Sequence, residues 1–281
     1  MPIFERPMFE RSDGDYVGNV HPVRRIMPFV MPSRTESAVL CREQVLAAPA
    51  RAFLERINAS RPADRPATMF HMVLRALALV LHERPRVNRF VAGGRYYQRR
   101  GAWLSFSGKR GMSDDAPIYT VKREFPKEET FEQMVDALWD RQLFGRSGKE
   151  SDTDKEISLL LKMPPTVLKW VVRIGRRLNE WNLFPSAMIA SDPLFSSIFV
   201  ANLGSVGIDA CYHHNYDYGT IPVFVTMGRI KMMPVVDDSG NVVAAETFEL
   251  KYTYDERTED GFYVARGLEF VRNVLENPER L

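Results

Sequence analysis

The chain has 281 residues, 45% of them apolar and 26% charged, a composition that suits a soluble globular fold of one large domain or two small ones. Its 38 basic and 36 acidic residues leave a formal charge of +2, so overall charge points to no polyanionic partner. Cys41 and Cys211 are too few and too far apart for a disulfide framework or a zinc site, which suits a reducing, cytoplasmic setting. The opening Met1-Pro2-Ile3-Phe4-Glu5-Arg6 has no apolar signal region, and no apolar run reaches the length of a transmembrane helix.

Residues 1–34 carry Pro2, Pro7, Pro22, Pro28 and Pro32, which interrupt any long element and predict an extended arm. Residues 35–281 read as a single domain, with a helical insertion at about 145–195. Ser37 to Leu46 suits a strand and Ala48 to Ala59 a short helix. Thr68 can cap the next helix, whose apolar face includes Phe70, Val73, Leu74, Leu77 and Leu81, and Pro85 stops it. His71 and His82 on this helix read as packing or surface residues.

From Arg84 to Arg110 there are eight Lys/Arg and no acid, interleaved with Tyr96, Tyr97, Trp103 and Phe106. Such a basic, aromatic hairpin can stack a base and hold phosphates. It can equally be a solvated hairpin with its aromatics buried, and no RNA-binding motif is present. No nucleic-acid partner is therefore expected. A strand over Ile118 to Lys122 and a helix from Thr130 to about Leu143 follow. Residues 145–156 are polar and read as a mobile connection, and two helices complete the insertion. The second, Val167 to Trp181, sets Val167, Val171, Ile174, Leu178 and Trp181 at helical spacing against Lys169, Arg173, Arg176 and Arg177. Three readings stay open for it: a core or interface helix, a lid over an acyl pocket, or a helix lying on a membrane surface.

Strands are predicted over Ser196 to Ala201, Ile221 to Gly228 and Ile230 to Val236, with a turn at Asp237-Asp238-Ser239-Gly240-Asn241. Phe248, Leu250, Tyr252 and Tyr254 alternate with Glu249, Lys251 and Thr253, the pattern of a half-buried strand. Beyond Gly261, Val264, Leu268, Val271 and Leu275 line one helix face.

Between that strand and that helix stands Asp255-Glu256-Arg257-Thr258-Glu259-Asp260-Gly261. It resembles the D-H-R-x-x-D-G signature of the catalytic domain of 2-oxo-acid dehydrogenase acyltransferases, a family related to chloramphenicol acetyltransferase. Glu256 replaces the histidine. Upstream, Phe199-Val200-Ala201-Asn202-Leu203-Gly204 resembles the family's F-T-I-S-N-L-G strand end, with Ala201 in place of the serine. Val23-Arg24-Arg25-Ile26 looks like the start of the family domain. The resemblance implies an α/β fold, an α+β two-layer sandwich with a mixed sheet and flanking helices. It also implies a homotrimer whose sites lie between subunits, with coenzyme A or an acyl-CoA as substrate, a small-molecule acyl acceptor and no metal. With no lipoyl-type segment ahead of the domain, a stand-alone relative is expected.

In that family the histidine is the general base and the serine donates to the oxyanion. A glutamate, with an ordinary pKa near 4.3, is a poor match for abstracting a proton from a thiol near 8.5, and Ala201 offers no hydroxyl. A second polar cluster, His213-His214-Asn215-Tyr216-Asp217-Tyr218-Gly219, follows the Asn202-Gly204 corner. His213 or His214 is the candidate replacement base, oriented by Glu256 or Asp260, whose pairing would raise the imidazole pKa. Asn202 and Ser205 are candidate substrate-binding groups, and Asp255 and Arg257 a salt bridge holding the corner. A non-catalytic trimeric scaffold or ligand-binding relative is the alternative.

Overall fold

The computed structural model describes residues 7–111, 113–147, 162–237 and 239–281. The expected mobile connection and the first insertion helix fall largely or wholly on 148–161, outside the described residues.

Seven strands form the main sheet in the order β2 (Ala38–Leu46), β10 (Val242–Asp255), β8 (Val223–Met227), β7 (Ile198–Asn202), β5 (Trp103–Lys109) and β6 (Ile118–Glu124), with β9 (Lys231–Val236) paired to the first half of β10. The β8–β7–β5 centre is parallel and the flanking pairs are antiparallel, so the sheet is mixed. One face is packed by α2 (Ala47–Asn58), α3 (Met69–Glu83), α4 (Phe131–Arg146) and α7 (Gly261–Glu276). This is the expected two-layer α+β arrangement.

The pleat explains which residues meet those helices. Along β10, Phe248, Leu250, Tyr252 and Tyr254 enter the main core, while Lys251, Thr253 and Asp255 point to the other face. On that face Phe199, Phe224 and Ile221 form a separate cluster with Ala201 and Tyr216. Helix α3 is buried almost all round, as its near-continuous apolar sequence requires. Its start is held reciprocally: Thr68 Oγ1 accepts from the His71 N–H, and His71 Nδ1 accepts from the Thr68 N–H at 3.1 Å.

The basic, aromatic segment is divided between two sheets. A small sheet in the order β1 (Gly14–Tyr16), β4 (Arg95–Arg99) and β3 (Arg89–Ala92) takes its first half, while β5 joins the main sheet. Gly93 and Gly94 make the β3–β4 turn with positive φ, and a side chain on Gly93 would meet the Glu180 carbonyl at 2.1 Å. Tyr96, Tyr97 and Phe106 are buried, so they offer no stacking surface. Many of the segment's cations are engaged within the fold. Buried Arg99 pairs with Asp13 and Thr220, Arg100 with Asp15, and Arg86 and Arg89 with buried Glu259. The arm thus contributes a strand to this small sheet, and a helix, α1 (Pro22–Val30), continues it.

Of the expected insertion, α5 (Pro165–Glu180) and α6 (Ser186–Ser191) are described. Leu178 packs onto the small cluster of Phe184, Ile189 and Phe195, and most of the rest of α5 is exposed.

Candidate functional site

β10 ends on the far face of the sheet from the helices, and its last residue begins a buried polar network. Asp255 is fully buried and accepts from Arg257 Nε at 2.8 Å and Nη2 at 2.7 Å, and from Ser37 Oγ at 2.8 Å. Arg257 also donates through Nη1 to the carbonyls of Met31 and Pro32, so the arm is tied to the corner. Arg34 lies nearby, also buried. Desolvation pushes its pKa down to about 10 against the supporting charge of Asp255, which leaves it protonated at neutral pH.

The remaining polar side chains of the corner are engaged as well. Thr258 Oγ1 donates to the Asp255 carbonyl at 2.8 Å, and Glu259 takes Arg86 at 3.1 Å. Asp260 is the N-cap of α7, accepting from the Tyr263 N–H at 2.8 Å, and this bond holds its carboxyl below the usual range. Glu256 is the exception. Its backbone is fixed by Ser37 O at 2.9 Å and by Arg24 Nη2 at 2.6 Å, while its side chain is exposed with no hydrogen-bond or ion-pair partner among the described residues.

The end of β7 is built differently. Ala201 pairs in register with Thr226 and is half-buried. Asn202 Oδ1 accepts from the Ser205 N–H at 3.2 Å, and Ser205 Oγ donates to the Asn202 carbonyl at 2.7 Å, so both candidate binding residues stabilise their own turn. The Asn202 amide N–H2 has no protein partner among the described residues. Gly204 is required, because a β-carbon there would meet the Gly228 carbonyl at 2.7 Å.

Beside this end, the His213 ring stacks on Phe224 with centroids 3.9 Å apart, and His214 stacks on His213 at 4.6 Å. His213 Nδ1 lies 2.7 Å from the His214 carbonyl oxygen. A carbonyl only accepts, so Nδ1 carries the hydrogen and the neutral ring leaves its lone pair on Nε2. Burial, and to a lesser extent the adjacent His214, lower the His213 pKa against the favourable carbonyl bond. The expected pairing with a carboxylate, which would raise that pKa, is not formed within one chain among the described residues. Among the described residues of one chain, no hydrogen bond or ion pair joins either histidine to Glu256 or Asp260. Nor, among the described residues, is there a group of three His, Cys, Asp or Glu placed to hold a metal.

Sequence reasoning missed Ser37 and the buried Arg34 as supports of the corner. Ser37 lies 218 residues from its partner Asp255, and no local pattern announces such a pairing.

This sheet order and strand–corner–helix geometry define the chloramphenicol acetyltransferase-like acyltransferase fold. Residues 195–281 match the family described as 2-oxoacid dehydrogenases acyltransferase (catalytic domain). Over nearly the full length the chain resembles a probable dihydrolipoamide acetyltransferase from Listeria monocytogenes, with a TM-score of 0.63 at 15% identity, covering 94% of this chain and 95% of that one. It also resembles a dihydrolipoamide acetyltransferase from Azotobacter vinelandii, with a TM-score of 0.62 at 16% identity and 93% of each chain covered. A chloramphenicol acetyltransferase gives 0.55 at 10% identity, over 93% of this chain and 99% of the other. No curated protein matches by sequence. The fold is therefore shared over nearly the whole chain, and the family's sequence pattern over its last third.

Proposed function

We propose that the protein transfers an acyl group from an acyl-CoA to a small-molecule thiol, hydroxyl or amine, in the cytoplasm, at sites completed between copies of a homotrimer. The observation that carries this reading is Glu256. In a corner whose other polar side chains are engaged, its carboxylate is held out to solvent with no hydrogen-bond or ion-pair partner among the described residues, at the motif position where the family has its histidine. Its companion residues, Ala201 and His213, sit at another strand end with no bond to it in the same chain. A neighbouring copy would bring the two halves together.

In this reading His213 Nε2 takes the acceptor's proton as the acceptor attacks the thioester carbonyl carbon. Its lowered pKa keeps the ring in the free-base form at neutral pH, and the Nδ1–H bond fixes its tautomer. Glu256 of the adjacent copy stabilises the imidazolium that forms, with His214 stacked behind. Asn202 offers its amide N–H2 to the oxyanion in place of the missing serine hydroxyl. Collapse breaks the carbon–sulfur bond, the coenzyme A sulfur receives the proton, and the acyl group stays on the acceptor. Asp255, Arg257 and Asp260 keep the corner in shape.

Release of coenzyme A thiol from short acyl-CoAs, followed with a panel of acceptors, tests the scheme. His213→Ala is expected to lower turnover by about 10²–10⁴, with the thermal unfolding midpoint as a control for folding. Unchanged turnover in both His213→Ala and His214→Ala removes the histidine from the mechanism. One observation favours a second reading, a trimeric ligand-binding scaffold without turnover: Ala201 supplies no hydrogen-bond donor. That reading expects coenzyme A binding by calorimetry and no thiol release from wild type with any acceptor.

A further inference from the structure

Helix α5 carries a surface to which the proposed transfer chemistry assigns no part. Gly175, Leu178 and Asn179 turn towards the body of the protein, where a side chain at Gly175 would touch the Phe184 ring at 3.2 Å. Val167, Trp170, Val171, Ile174 and Trp181, spaced at i, i+3, i+4, i+7 and i+14, form an apolar stripe that adjoins the Leu178 contact and is left largely outward. Large apolar side chains in it are open to solvent: Trp170 is 58% exposed, Ile174 54% and Trp181 56%. Just past the helix, the Phe9 carbonyl accepts from Asn182 Nδ2 at 2.8 Å, which ties the arm segment carrying exposed Met8 and Phe9 to the C-terminal end of α5.

Cations border this stripe. Lys169, Arg173, Arg176 and Arg177 share the helix with one carboxylate, Glu180, which pairs with Arg177 at 2.9 Å. In a chain whose formal net charge is only +2, this is a local concentration of positive charge. Arg173 lies over the Trp170 ring at 5.3 Å and Arg177 over Trp181 at 5.8 Å, so each indole is joined to a cation at the border of the apolar stripe.

We propose that α5 is a membrane-docking helix that lies in the interface of an anionic bilayer, its tryptophan stripe among the upper acyl chains and its lysine and arginines among the lipid phosphates. A lipid surface meets both halves of this helix at once, the apolar face by burial and the basic border by charge. A two-fold contact between copies through α5 would instead bring two basic borders together. Indoles are suited to the water–lipid boundary because they have an apolar body and one N–H donor. The helix is too short and too basic to span, and no described helix is long and apolar enough to cross a membrane.

Flotation of the full chain with vesicles tests this independently of the transfer chemistry. Binding is expected to vesicles of phosphatidylglycerol mixed with phosphatidylcholine, with at least tenfold weaker binding to phosphatidylcholine alone and loss of binding at high salt. A blue shift of tryptophan emission should accompany it. The double variants Trp170→Ser/Ile174→Ser and Lys169→Glu/Arg173→Glu should each weaken binding at least tenfold, with circular dichroism and the unfolding midpoint showing that the fold is kept. Equal recovery with charged and neutral vesicles, or wild-type binding by both variants, overturns the proposal. So does a loss of oligomer mass in the apolar variant without vesicles, which would make the stripe a contact between copies.

Discussion

The ends of β10 and β7 lie on either side of β8, and their polar groups are used in different ways. At the end of β10, Asp255 and Arg257 are buried and reach Ser37, Met31 and Pro32, residues more than two hundred positions away in the chain. At the end of β7, Asn202 and Ser205 bond only to each other's backbone, and Ala201 makes no polar side-chain contact. A residue in the first network cannot change without leaving a buried charge or hydroxyl unpaired. A residue at the second end can lose its hydroxyl with little effect on the fold. This accounts for the pattern of matches: Asp255, Arg257, Asp260 and Gly261 agree with the acyltransferase motif, and the departures fall at Ala201 and Glu256, whose side chains carry little structural burden.

The largest effect should come from breaking the β10 end. Asp255→Ala leaves the Arg257 guanidinium buried beside Arg34 without its carboxylate. A loss of about 3–5 kcal/mol of unfolding free energy is expected, read from the denaturant midpoint. A loss below about 1 kcal/mol would mean that the corner is held by its backbone alone, and the contrast with β7 would disappear.

That contrast also marks what the sequence makes legible. The strand ending at Asp255 and the helix starting at Gly261 are readable because the first alternates with period two and the second repeats with helical period. The acidic cap, Asp260, stands where a helix needs one. The small sheet is not readable in this way. Gly14–Tyr16 pairs with Arg95–Arg99 across some eighty residues, and Asp13 meets Arg99 only once that pairing exists. The same holds for His213. Its neighbours in sequence suggest a base, but its stacking on Phe224 and its bond to the His214 carbonyl are tertiary facts. The burial that comes with that stacking lowers the pKa, against the carbonyl bond, where carboxylate pairing was expected to raise it.

A smaller effect, and of opposite sign, is expected at the β7 end. Ala201→Ser returns the hydroxyl that the family strand carries, in a half-buried place opposite Thr226. If the shared site operates as proposed, the added oxyanion donor should raise kcat by about 10²–10³, measured as thiol release, while stability changes by less than about 0.5 kcal/mol. A stability loss of several kcal/mol would show that this strand end is as tightly packed as the other. Unchanged kcat would place the oxyanion away from Ala201.

The smallest effect tests whether the whole β10 corner is equally rigid. Asp260 belongs to it but is exposed, and its cap on the Tyr263 N–H is a local bond. Asp260→Ala should cost only about 1 kcal/mol, the usual worth of an N-cap, and Asp260→Asn should recover most of it. The pH dependence gives the signature. The bond from the Tyr263 N–H favours the charged form and depresses the folded pKa, so this contribution is complete above the unfolded carboxyl value near 3.8 and is lost as pH falls through the lower folded value. The difference in unfolding free energy between wild type and Asp260→Ala should therefore be flat from about pH 5 to 8 and shrink only below about pH 4. A difference that already declines near pH 6 would mean that the substitution disturbs the buried network behind it, and that the exposed rim and buried heart of the corner act as one unit.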